Sequence, residues 1–163
     1  ENRGWDYAKF LLANERSGIA RIGLSKERVA RIRRRAKDNG VWDDPLFRSE
    51  VIKLEIELKA LEVAQMQILS RAGESQGRPD PASSILKLRG SQLQQRASEL
   101  LMELEGVAAL RAPGDVADPY HAAEEQLAAA AALNNYLNFR KVSIYGGSNE
   151  IQKNIIAKTI LNL

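Results

Sequence analysis

Apolar residues in this chain recur at three- and four-residue steps over long stretches and almost nowhere alternate strictly with polar ones. That spacing marks helices with one buried face rather than half-buried strands. It predicts a first helix from about Asp6 to Asp38, stopped at Asn39-Gly40. A second covers about Pro45 to Ala72, with Val51, Leu54, Leu58, Leu61 and Met66 among its apolar positions. A third runs from about Pro81 to Leu110 and a fourth from about Pro119 to Arg140. A last, short helix starts near Asn149, with Ile151, Ile155, Ile156 and Ile160 on one face.

The pairs Asp44-Pro45, Asp80-Pro81 and Asp118-Pro119 stand before the three middle helices. Aspartate is a good N-cap, and proline at the first helical position gives up no needed hydrogen bond. The expected fold is therefore all-α: an antiparallel four-helix bundle plus a short C-terminal helix, with residues 1–163 forming one domain.

Composition narrows the chemistry. With no cysteine, disulfides, thiolate metal sites and cysteine nucleophiles are excluded. The single histidine, His121, sits in the expected first turn of the fourth helix and reads as a surface residue, so a histidine-based metal site is not expected. The longest apolar run, Leu127 to Leu133, is too short to span a bilayer, and no signal-peptide pattern is present. A soluble, cytoplasmic domain is the expectation.

The formal net charge is only +3, but "ERVARIRRRAK", residues 27–37, holds six of the basic residues. No aromatic residue interleaves with these arginines, so the run reads as a solvated helix end rather than a nucleic-acid patch. Trp5 and Trp42 flank the first helix and read as packing anchors. Lys87 interrupts the apolar "SILKL" and is expected to snorkel to the surface.

Two features carry candidate chemistry. Glu15 falls on the apolar stripe formed by Leu11, Leu12, Ile19 and Ile22. A carboxylate there must pair with a cation such as Arg16, be solvated by a cleft, or have a raised pKa, the last describing a general base. The turn "YGGSNE" joins Gly146 and Gly147 to the polar helix start Ser148-Asn149. Exposed N–H groups at a helix start suit a phosphate, and a plain capped turn explains the same residues.

The stretch "SIYGGSNEIQKNIIAKTIL" resembles the C-terminal signature of the acyl-CoA dehydrogenase family. At the other end, "ENRGWDYAKFLLANERSGIARIG" is similar to the segment leaving that family's β domain and entering its first C-terminal helix. The resemblance implies an FAD-dependent oxidoreductase of lipid metabolism that converts an acyl-CoA thioester to the 2,3-enoyl-CoA. A glutamate takes the α-proton, the β-hydrogen leaves as hydride to the flavin, and an electron-accepting flavoprotein follows. Many members carry the glutamate directly after the signature tyrosine, where this chain has Gly146. Others carry it on the first C-terminal helix in a Glu-Arg pair, the place of Glu15 and Arg16.

By that resemblance Glu15 is the α-proton base, and Arg16, Tyr145, Gly146 and Gly147 line the substrate side. Ser148 and Glu150 match positions that touch FAD. Two further patterns depart from the family. "RRRAKDNGVWDDPLF" stands where an Arg followed by Phe-Gly is common, and "ELEG", Glu103 to Gly106, stands where Gln-x-x-Gly-Gly is common. Both patterns help hold FAD across a subunit interface, so a homo- or hetero-oligomer with altered flavin sites is expected. The family's N-terminal helical and middle β domains are not in this sequence, and the fragment alone is expected to be inactive. A rival expectation is a non-catalytic bundle that supports a catalytic partner.

Overall fold

The computed structural model describes residues 2–72, 80–110 and 124–163, with side chains at those positions except 9, 12–17, 19, 72 and 124–127. Its α-helices are α1 (Gly4–Ile19), α2 (Ile22–Asp38), α3 (Pro45–Ala72), α4 (Ser83–Glu105), α5 (Glu124–Phe139) and α6 (Asn149–Thr159). Tight helical turns at Val41–Asp43, Gly106–Leu110 and Arg140–Ser143 extend or link them. No strand occurs among the described residues, and the all-α expectation is met.

The antiparallel order of the middle helices is written in their ion pairs. Lys26 meets Glu62 at 2.7 Å and Arg33 meets Glu55 at 3.3 Å, so position rises along α2 as it falls along α3. The same holds between α3 and α4, where Arg89 meets Glu57 at 2.7 Å and Arg96 meets Glu50 at 3.1 Å. Helix α4 is central and packs against α1, α2, α3, α5 and α6. Ile32, Val51, Leu86 and Leu100 are fully enclosed where α2, α3 and α4 meet.

The first predicted helix is in fact two. Arg21 adopts a left-handed backbone (φ 45°, ψ 44°) that ends α1 and starts α2 on a new axis. The neighbour across the break explains it. A Cβ on Gly90 of α4 would lie 2.6 Å from the Ala20 Cα, so the two backbones approach as closely as only glycine permits. The amide of Gln94, also on α4, lies 3.4 Å from the Ala20 carbonyl oxygen. Periodicity continues through such a break because both halves still bury one face.

Other expectations hold or fail locally. α3 begins and ends as predicted, and Asp44 accepts from the Leu46 N–H at 2.9 Å beside Pro45. Asp80 accepts from the Ala82 N–H at 2.8 Å and caps the turn leading into α4. Asp118-Pro119 and His121 lie outside the described residues. Met66 points outward and Ile68 takes its place in the core. The α-helical part of the third element stops at Glu105, before the Gly106–Leu110 turn.

Trp5 is exposed and is not part of the described core, so the packing-anchor expectation fails for it. Trp42 does pack on the core, with Arg33 and Lys37 over its ring at 5.1 Å and 5.9 Å. The basic run is a helix face: Val29, Ile32 and Ala36 turn inward. Around them Arg35 pairs with Glu105 and Arg28 covers the Phe139 ring at 4.2 Å.

Candidate functional site

The signature turn is soft by composition and tightly held by its surroundings. Gly146 (φ 68°) and Gly147 (φ 87°) both lie in the left-handed region, which side-chain-bearing residues rarely adopt. A Cβ on Gly147 would also come within 2.6 Å of the Gln152 side-chain nitrogen. Gln152 is the buried residue of α6, and its Nε2 donates to the carbonyls of Gly146 and Gly147, each at 3.3 Å. The isoleucine face predicted for α6 is only partly covered: Ile151 and Ile160 are exposed. Polar contacts hold the start of this helix.

They come from Lys87 and Ser91, two members of a buried polar stripe on α4. Ser84, Lys87, Ser91, Gln94 and Ser98 are all buried. Lys87 was expected to reach the surface but is fully enclosed. Its Nζ donates to the Ser143 carbonyl at 3.2 Å and to Asn149 Oδ1 at 2.9 Å. The Ser91 hydroxyl donates to the same Asn149 oxygen at 3.1 Å. Further along, Gln95 Nε2 donates to the carbonyls of Phe139 and Arg140 at 3.3 Å and 3.1 Å. Arg140 returns hydrogen bonds to the Gln95 carbonyl and the Ser98 hydroxyl and pairs with Glu99. The carbonyls left unpaired at the end of α5 and its following turn thus find donors on α4.

Burial pushes the Lys87 ammonium below its ordinary pKa, while the Glu150 carboxylate partly opposes this. A lysine interrupting an apolar run was the available sequence signal, together with serines at three- and four-residue steps around it. Periodicity alone does not say that another backbone waits opposite.

Of the sequence-derived candidates, Tyr145, Gly146, Gly147, Ser148 and Glu150 are contiguous on this turn, and Tyr145 remains partly exposed. Ser148 caps α6, its hydroxyl accepting from the Ile151 N–H at 3.5 Å. The exposed Glu150 carboxyl is held below the usual carboxylate range by its own backbone N–H and the Ser148 hydroxyl, with Lys153 and Lys87 adding to the effect. The donors of the helix start, read as a possible phosphate cradle, already serve a carboxylate. Glu15 and Arg16 are placed on α1, but their side chains lie outside the described residues.

A separate groove of about 500 Å³ lies between α2 and α3, with Val29, Ala30 and Leu58 among its lining residues and Lys26, Arg33 and Lys59 beside them. No sequence-derived candidate lines it. Glu62 there is pushed down to about 2 by Lys26 and Lys59. Among the described residues no cluster of histidine and carboxylate side chains suits a metal ion, and no helix is long and apolar enough to cross a membrane.

Comparison with known proteins places this arrangement. The family model described as acyl-CoA dehydrogenase, C-terminal domain, matches residues 2–161. A protein of Mycolicibacterium smegmatis named acyl-CoA dehydrogenase IpdE1 is 30% identical over 98% of this chain and 37% of its own length. Its namesake from Mycobacterium tuberculosis is 28% identical over 98% of this chain and 38% of its own. Among solved structures, the "Tcur3481-Tcur3483 steroid ACAD" superposes with a TM-score of 0.74 at 21% identity, covering 98% of this chain and 40% of that one. The ChsE4-ChsE5 complex from Mycobacterium tuberculosis gives a TM-score of 0.72 at 24% identity, covering 100% of this chain and 42% of that one. This chain therefore spans well under half the length of each of these relatives.

Proposed function

Because this chain belongs to the acyl-CoA dehydrogenase family through its C-terminal domain, we propose that it completes an enzyme that oxidises an acyl-CoA thioester to the 2,3-enoyl-CoA, with Glu15 as the α-proton base. The N-terminal helical and middle β domains would come from elsewhere in the same longer polypeptide.

The observation that carries this reading is the state of the signature turn. After Tyr145 stands Gly146, with a left-handed backbone and no carboxylate. The carboxylate that the turn does hold, Glu150, is kept ionised at a lowered pKa, which makes it a weak proton acceptor. A base brought by α1, which carries Glu15 in its Glu-Arg pair, answers both facts. In this reading Glu15 removes the α-proton, Arg16 orients the substrate, and Tyr145, Gly146 and Gly147 leave the thioester room to approach the turn.

FAD supplies the chemistry of hydride acceptance from the β-carbon. Ser148 and Glu150 fit its hydroxyl- and amine-bearing parts, because an ionised carboxylate and a serine hydroxyl accept hydrogen bonds from ribose and adenine groups. They do not fit its pyrophosphate, since Glu150 is negative and already engages the helix start. That negative charge favours a second reading, a non-catalytic subunit beside a catalytic partner in a hetero-oligomer. In the first reading an electron-accepting flavoprotein is the redox partner.

The test uses the full-length protein, alone and with its partner subunit, mixed anaerobically with octanoyl-CoA and a steroid side-chain CoA thioester. Bleaching of the flavin absorbance supports the enzyme, and a preparation that never holds flavin supports the supporting subunit. Glu15→Gln should retain FAD and slow flavin reduction by about 10²- to 10⁴-fold, the usual scale for a proton-transfer group. Near-normal reduction in that variant would remove Glu15 from the mechanism.

A further inference from the structure

We propose that Lys87 is a positioning residue that sets the signature turn for the reaction above. The dehydrogenase reading supplies what the turn presents, whereas the clamp itself rests on geometry. The two acceptors of Lys87 bracket the turn: the Ser143 carbonyl stands just before residues 144–148 and Asn149 just after them. Between these anchors lie two glycines with left-handed backbones, the least restricted residues available. Such a turn keeps one shape only if both ends and its underside are fixed. Lys87 fixes the ends, Ser91 shares the Asn149 anchor, and Gln152 holds the Gly146 and Gly147 carbonyls from beneath.

An ammonium is a costly choice for a fully enclosed position, because it must leave water. If filling space were its task, an unbranched apolar side chain such as methionine would do so without that desolvation. What methionine cannot do is bridge a backbone carbonyl and a side-chain amide from one point. The groups that Lys87 holds all belong to the C-terminal segment, so the clamp acts on the placement of Tyr145 through Glu150 and, through them, on substrate and cofactor.

The experiment compares full-length wild type with Lys87→Met, Asn149→Ala and the double variant. Amide hydrogen exchange over residues 144–151 reports the turn, and the rate of flavin reduction by octanoyl-CoA and a steroid side-chain CoA thioester reports the chemistry. Each single variant should speed exchange there and slow reduction at saturating thioester by roughly ten- to a hundredfold, the scale of a small misplacement. The double variant should be no worse than the more severe single one, since both break one clamp. A lower melting temperature with unchanged exchange and unchanged saturating rate would overturn the proposal. Should Lys87→Met fail to fold, Asn149→Ala decides by the same two readouts. If wild type reduces no flavin with either thioester while the variants still loosen the turn, the dehydrogenase reading falls and the clamp stands.

Discussion

On one face of α4, Leu86, Leu93 and Leu100 are buried in an apolar core shared with α2 and α3. On another, Lys87, Ser91, Gln95 and Ser98 hold the end of α5, the signature turn and the start of α6 through hydrogen bonds. The two faces do different work. Apolar burial is non-directional and scales with area, so it holds helices together but tolerates small shifts. Hydrogen bonds to backbone carbonyls have narrow geometry, so they place a segment as well as retain it. The part of this chain that carries the family signature rests on the directional face.

The largest effect on stability should come from cutting the apolar face. Leu100→Ala opens a cavity at a fully buried position and should lower unfolding free energy by about 2–5 kcal/mol in urea titrations. A loss under about 1 kcal/mol would show that the neighbours of Leu100 collapse into the gap, so that its burial contributes little beyond what they replace.

A smaller loss, with a different signature, should follow a cut on the polar face. Gly147→Ala puts a side chain at φ 87° and a Cβ within 2.6 Å of the Gln152 nitrogen. About 1–3 kcal/mol of strain is expected, concentrated in faster amide exchange around the turn and the first turn of α6. Unchanged exchange there would mean that Gln152 does not grip the turn from beneath.

The smallest effect tests the rim of the α2–α3 contact. Glu62 has a folded-state pKa of about 2 against an ordinary 4.5, through Lys26 and Lys59. Its contribution is therefore present above pH 4.5 and lost as pH falls from 4.5 toward 2. Because the carboxylate meets solvent, the effect should be slight. The stability difference between wild type and Glu62→Gln should shrink across that window, and a difference that grows on acidification would reverse the sign assigned here.

Much of the layout was legible from residue order. α3 runs from Pro45 to Ala72 as its periodicity and Asp-Pro cap predict, and Asn149 starts α6 behind Ser148. The contiguous part of the candidate site, Tyr145 to Glu150, was legible because it is one short motif. Lys87 was misread, since a lysine in an apolar run usually carries its charge outward. Its acceptors are more than fifty residues away, as the separations of 56 and 62 positions show. The break at Ala20-Arg21 was hidden for a related reason: its cause, Gly90, lies on another helix.

The sequence by itself determined most of the helical layout, the Asp44 and Ser148 caps, the all-α class and the family, because these depend on propensity, periodicity and local motifs. Only the tertiary structure decided which side chains meet across helices. It broke the first helix against Gly90, enclosed Lys87 beneath the glycine turn, and tied Glu150 into the start of α6. The physical reason is range: a hydrophobic period is written within a few neighbouring residues, whereas a buried charge takes its meaning from acceptors that only folding brings within 3.2 Å.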